Sequence, residues 1–126
     1  MLVLDSGGVS RLAARSRRAL ALIVALREGG LWPPLVPTAV LVECLTGDSG
    51  RDAVTNRFLK TCDIDESMPV ALAKRAAQLR AQARRGSAVD AMVVAMAEPN
   101  GVVLTGDVGD LAALAAHASG VVVEHI

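Results

Sequence analysis

The chain has 126 residues with 13 basic and 13 acidic side chains, a formal net charge of zero, so size gives no reason for a second core and charge alone marks no nucleic-acid binder. Hydrophobic residues make up 52% of it, well above a disordered composition, and one domain over residues 1–126 with a real apolar core is expected. Apolar runs break long before the about 18 residues a membrane span needs, and no basic-then-apolar leader opens the chain, so the expectation is a soluble cytoplasmic protein with no membrane partner.

"MLVLD" reads as a short strand of the all-apolar type that parallel sheets bury on both faces. After the "SGG" break, "SRLAARSRRALALIVALREGG" carries apolar residues at helical spacing, a Ser10 cap and a Gly29-Gly30 stop, which predicts one long amphipathic helix. "LWPPLVP" gives a turn and at most a stub of strand. Thr38 is expected to cap a short helix "AVLVECL" ended by Gly47, with a further helix over "GRDAVTNRFLKTC". "DID" suggests a one-bridge strand. Ser67 and Pro69 open "VALAKRAAQLRAQARR", a helix with a basic polar face that Gly86 ends. Ser87 caps "AVDAMVVAMA"; "VVLTGD" is a second buried strand, Asp110 is expected to cap "LAALAAHA", and "GVVVEHI" is the last strand. Short apolar strands alternating with helices predict an α/β fold, a sandwich with a mainly parallel sheet.

Cys44 and Cys62 are isolated thiols that fit neither a disulfide framework nor a four-ligand zinc site. His117 and His125 lack a partner at metal-ligand spacing. The acids are more informative. Parallel sheets present their sites beyond the carboxyl ends of the strands, and both "MLVLD" and "VVLTGD" end in aspartate, Asp5 and Asp107. Glu43 and Asp90 are each the only charge in a helix that is apolar nearly all round, the pattern of a helix buried on most faces. A carboxylate kept from water costs several kcal/mol unless compensated. Each acid has an ordinary explanation alone: Asp90 completes a capping box with Ser87, Asp5 is a turn residue before Gly7-Gly8, Glu43 pairs with an arginine. Together these require four coincidences, whereas one acidic pocket holding a hard divalent cation, magnesium or manganese, accounts for all four. Ser6 and Thr105 flank the strand-end acids and are candidates to orient a carboxylate, a water or a phosphate oxygen. No P-loop, dinucleotide fingerprint, nucleophile elbow or H-E-x-x-H motif occurs.

The combination of "LVLDSG", "VLVECL", "SAVDAMVVAMA" and "LTGDVGD" in this order resembles the PIN-domain ribonucleases, with the nearest likeness to VapC-type toxins of bacterial toxin–antitoxin modules. The resemblance runs over essentially the whole chain. It implies a PIN-like three-layer sandwich and a magnesium- or manganese-dependent endoribonuclease, with Asp5, Glu43, Asp90 and Asp107 as the acids, Asp5, Asp90 and Asp107 as metal ligands, Thr105 as the hydroxyl before the last acid, and Asp110 at a more variable acidic position. It further implies an RNA substrate, neutralisation by a small antitoxin protein, and a homodimer. Two positions depart from the family pattern: Gly7 stands where serine or asparagine is common, and Leu111 where an aromatic is common.

The chemistry expected is metal-assisted hydrolysis of a phosphodiester, with Glu43 as ligand or general base. Removing Asp5, Glu43, Asp90, Asp107 and Asp110 from the 13 acids leaves 8 against 13 basic residues, a rim suited to RNA phosphates. Trp32 and Phe58 are the only aromatics, so arginine and backbone contacts outweigh base stacking. A phosphoaspartate phosphatase needs a second acid two residues after Asp5, where Gly7 stands, and a receiver domain needs a lysine after a late strand, whereas Lys60 and Lys74 lie in helices. A catalytically silent PIN-fold binding module is the remaining alternative.

Overall fold

The computed structural model describes residues 1–126. Five short strands form one sheet: β1 (Leu2–Leu4), β2 (Leu35–Pro37), β3 (Asp63–Asp65), β4 (Val102–Thr105) and β5 (Val122–His125). The order is β3-β2-β1-β4-β5 and every pairing is parallel. The helices are α1 (Ser6–Ala13), α2 (Arg17–Glu28), α3 (Thr38–Cys44), α4 (Ala53–Leu59), α5 (Val70–Ala83), α6 (Ala88–Ala97) and α7 (Gly109–Ala115). Right-handed crossovers put the helices of β1-to-β2 and β2-to-β3 on one face and those of β3-to-β4 and β4-to-β5 on the other. The packing agrees: α1 touches α2, α3 and α4, while α5, α6 and α7 touch one another. The result is a three-layer α/β sandwich, as the sequence predicts, with a sheet that is wholly parallel. No helix is long and apolar enough to cross a membrane.

The centre of the sheet is the most apolar part, because β1 and β4 are covered on both faces. Val3 and Leu4 of β1, Val103 and Leu104 of β4, Leu12 of α1, and Val93 and Val94 of α6 are all buried. At roughly 1.5–3 kcal/mol for each large apolar side chain removed from water, this cluster dominates the fold's stabilisation. β1 and β4 are also the strands where the crossover direction reverses, so the crevice beyond their carboxyl ends is the topological switch point of the sheet, where open α/β sheets seat ligands.

Several local expectations are corrected. The single helix expected from Ser10 to Gly29 is two. Asp5, not Ser10, caps α1, its Oδ1 accepting from Gly8 N at 2.7 Å; Arg15 takes a left-handed conformation, φ 56°, and Ser16 starts α2 by accepting from Ala19 N at 3.1 Å. The two glycines read as a break lie inside α1 because α1 passes unusually close to β4 and its following loop. A Cβ on Gly8 would overlap the Leu104 carbonyl oxygen, and one on Gly7 would lie 2.9 Å from Gly106 N. Gly7, one of the departures from the family pattern, is therefore sterically required. Thr38 is the first helical residue of α3, after a Pro37 cap with no side-chain bond. α3 is also not the enclosed helix its composition predicts: only Val40 is buried, and Val42 is 82% exposed. α3 packs on α1 and β2, with Val40 buried and Leu41 and Cys44 partly buried against the core.

Candidate functional site

Register carries the first two acids to one place. Leu4 of β1 pairs with Leu104 of β4, so the next residues, Asp5 and Thr105, emerge side by side at the switch point. Thr105 is completely buried, and its hydroxyl lies 2.6 Å from Asp5 Oδ2 and 3.0 Å from the Asp107 carbonyl oxygen. A hydroxyl has one proton, and the shorter contact to a charged acceptor takes it. The Thr105 oxygen in turn accepts from Asp107 N at 3.0 Å. One side chain thus orients the Asp5 carboxylate and shapes the turn that carries Asp107.

Asp90 joins from the other layer. It sits in the first turn of α6 in a reciprocal capping box: Ser87 Oγ accepts from Asp90 N, and Asp90 Oδ2 accepts from Ser87 N, both at 3.0 Å. The capping explanation and the pocket explanation are therefore compatible, since the box uses one carboxylate oxygen. Glu43 comes from α3 and is solvent-exposed, contrary to the enclosed position its apolar neighbours predict. Asp5, Glu43 and Asp90 are close enough to feel one another. Burial pushes the Asp5 carboxyl above its ordinary value, bonds from Thr105 and Gly8 oppose that, and the Asp90 charge adds to the rise. Glu43 is also raised, by partial burial first, then by Asp90 and Asp5.

The Asp107 carboxylate is exposed and accepts from Gly109 N at 3.1 Å. Ser6 is the first residue of α1, beside Asp5 and half-buried. Asp110 does not cap α7; that place is held by Val108, and Asp110 pairs with Arg85, 2.9 Å from its Nη2. Its charge is already compensated, which separates it from the other acids.

None of Asp5, Glu43, Asp90 and Asp107 forms a salt bridge; the molecule's ion pairs are Arg75–Glu98 and Arg85–Asp110. The donor set is entirely carboxylate and hydroxyl oxygen, which suits a hard divalent cation. Both oxygens of Glu43 and one each of Asp90 and Asp107 accept no hydrogen bond from the protein. No three acidic, histidine or cysteine side chains are gathered into a ready-made metal cage; Asp5, Glu43 and Asp90 form an acidic face of mutually coupled groups, and Asp107 follows two residues after the end of β4.

No family model matches the chain, and no curated protein matches it.

Sequence reasoning missed two structural residues. Asp52 is 5% exposed and accepts from Thr46 N, Thr46 Oγ1 and Gly47 N at 2.9–3.0 Å. The Thr46 backbone bond is foremost in holding its pKa below the ordinary value. Asp52 locks the loop between α3 and α4, and the signal was the polar run "TGDSGRD". The other is Arg11 on α1, whose side chain lies across Gly106: a Cβ there would meet its Nε at 3.0 Å.

Proposed function

We propose that the chain is a magnesium- or manganese-dependent endoribonuclease and the toxin component of a toxin–antitoxin pair. The observation that supports the reading is electrostatic: Asp5, Glu43 and Asp90 feel one another's charge beside the switch point of a parallel sheet, Asp107 follows two residues after the end of β4, and no cationic side chain is paired to any of the four. Neutralising an unfavourable cluster of this kind is what a bound divalent cation does.

Asp5, Asp90 and Asp107 are the residues proposed to hold the metal, and Glu43 lies within their field. Magnesium at such a site supplies Lewis-acid polarisation of a phosphoryl oxygen and lowers the pKa of water. Thr105 favours the ionised form of Asp5, against the rise that burial imposes, and aims the carboxylate by donating to Oδ2. Asp90 is fixed by its capping box, and one of its oxygens stays open. Glu43 is exposed and binds a proton more readily than an ordinary glutamate, properties that suit a general base taking the proton of an attacking water. With few aromatics to stack on, RNA recognition would rest on arginines.

The proposed antitoxin would sit on the helical layer of α1, α2 and α4. A groove of about 310 Å³ between α2 and α4 is floored by Leu12, Leu20, Val24 and Phe58 and flanked by Arg15 and Arg57, a combination that suits an apolar helix carrying acidic flanks. Self-association into a homodimer is part of the same proposal.

The test is incubation of the purified chain with total cellular RNA, with and without magnesium, alongside Asp5→Asn and Asp90→Asn. Asparagine at position 90 keeps an oxygen for the Ser87 amide, so folding is preserved while a ligand charge is lost. Cleavage is expected only with metal and is expected to fall on the order of a hundredfold in each folded variant. Folded variants that cut RNA at the wild-type rate would remove these carboxylates from the reaction.

A further inference from the structure

Beside the acidic face lies a second feature that this reading leaves unused. α1 and the first turns of α2 enclose a cleft of about 340 Å³. Arg11, Arg18, Ser10 and Ser16 contribute its polar lining, and Leu22 and the last residue, Ile126, form part of its apolar lining. Neither arginine has an acidic partner within salt-bridge distance, so both guanidinium groups retain their full donor forks.

The position of the cleft gives it meaning. Arg11 crosses the α-carbon of Gly106, which is the residue between Thr105 and Asp107. On the same residue, His125 Nε2 lies 3.0 Å from the Gly106 carbonyl oxygen. A chain leaving the acidic face along this side therefore meets Arg11 first and Arg18 beyond it. Guanidinium forks match phosphate oxygens bidentately, and an apolar floor accepts the face of a base.

We infer that this cleft is a nucleotide subsite that holds a phosphate and base of single-stranded RNA immediately beside the bond to be cut. The inference rests on the nuclease reading for its substrate class, and it assigns Arg11 and Arg18 to phosphate and the Leu22–Ile126 floor to the base. It also supplies what the absence of tyrosine and the scarcity of other aromatics leave open: a sequence-tolerant hold on substrate without aromatic stacking. A basic subsite adjoining an acidic face further orients the RNA, since its phosphates are drawn to the arginines and repelled by the free carboxylates.

The experiment measures binding separately from cleavage. A short fluorescein-labelled single-stranded RNA is titrated with the chain in EDTA, across a range of salt, by anisotropy. Losing the one phosphate that both arginines hold, in the Arg11→Ala/Arg18→Ala double variant, is expected to reduce the slope of log K against log salt by about 0.7 and to weaken binding roughly fivefold at about 0.1 M salt. Lys60→Ala, at an exposed position after α4, should leave the slope unchanged. In methyl NMR, adenosine or uridine monophosphate should move the Leu22 and Ile126 signals, whereas inorganic phosphate should leave them in place.

An unchanged slope and affinity in the double variant would overturn the subsite, as would still methyl signals at saturating mononucleotide. Wild-type chain that cleaves RNA while the double variant keeps the same KM would reject the subsite and leave the nuclease reading standing. Arginine-dependent binding by a wild-type chain that never cleaves with magnesium would do the reverse.

Discussion

Replacing Thr105 with valine isolates the contact that builds the site. Valine has nearly the same shape, so the fully buried position is neither opened nor overfilled, but Asp5 Oδ2 loses its 2.6 Å donor and Asp107 N loses its 3.0 Å acceptor. A hydrogen bond to a charged group is worth about 1.5–3 kcal/mol and a neutral one about 1, so the variant should lose about 3 kcal/mol at neutral pH. Some 2 kcal/mol of that belongs to the ionised carboxylate and appears as a further rise in the Asp5 pKa. The sign follows from linkage. Asp5 already has a folded pKa above its ordinary value of 3.8, so it withdraws stability as pH rises through that folded value, and valine makes the withdrawal larger. Urea denaturation of wild type, Thr105→Val and Thr105→Ser from acid to neutral pH reads this directly. Serine keeps both bonds and should cost about 1 kcal/mol for the lost methyl at every pH. The valine penalty should grow with pH and vanish down to its neutral part in an Asp5→Asn background. A valine penalty that is flat with pH, or equal to that of serine, would refute the claim that this hydroxyl carries the carboxylate.

Addition of about 10 mM magnesium to a site with a Kd of about 1 mM stabilises the fold by about 1.4 kcal/mol, so the Tm should rise by several degrees in wild type and hardly at all in Asp5→Asn; equal shifts in both would place binding elsewhere. Arg75 holds Glu98 through bonds of 2.8 and 3.0 Å and thereby keeps its pKa below the ordinary 4.5. The pair's contribution is present above that value and lost as pH falls through the lower folded one, so Arg75→Met should cost about 1–3 kcal/mol at pH about 7 and much less at pH about 3 in urea melts; a penalty independent of pH would contradict this. Gly8→Ala should lower stability by about 3 kcal/mol or more and Gly7→Ala by about 1–3, because the first meets the Leu104 carbonyl and the second Gly106 N; a wild-type urea midpoint for Gly8→Ala would mean that α1 and β4 are not this close.

Local information determined much of the architecture. The all-apolar runs "LVL" and "VVL" could only be strands covered on both faces, and the "SAVD" signature set the capping box at the head of α6, because strand burial and helix capping depend on residues a few positions apart. The aspartates at the ends of β1 and β4 were legible for the same reason. What the sequence could not settle involves residues far apart in the chain. The register that pairs Leu4 with Leu104 sets Thr105 against Asp5, one hundred positions away, and the reversal of crossover direction at β1 and β4 turns two strand ends into a shared crevice. The close pass of α1 over β4 placed Gly7 and Gly8 inside a helix that their propensity argued against. Tertiary packing also left Glu43 exposed despite its apolar neighbours, gave Asp110 to Arg85, and laid Arg11 across Gly106. Periodicity reports which side of an element is apolar, but only the assembled layers decide what stands opposite, and the charges of a site depend on what stands opposite.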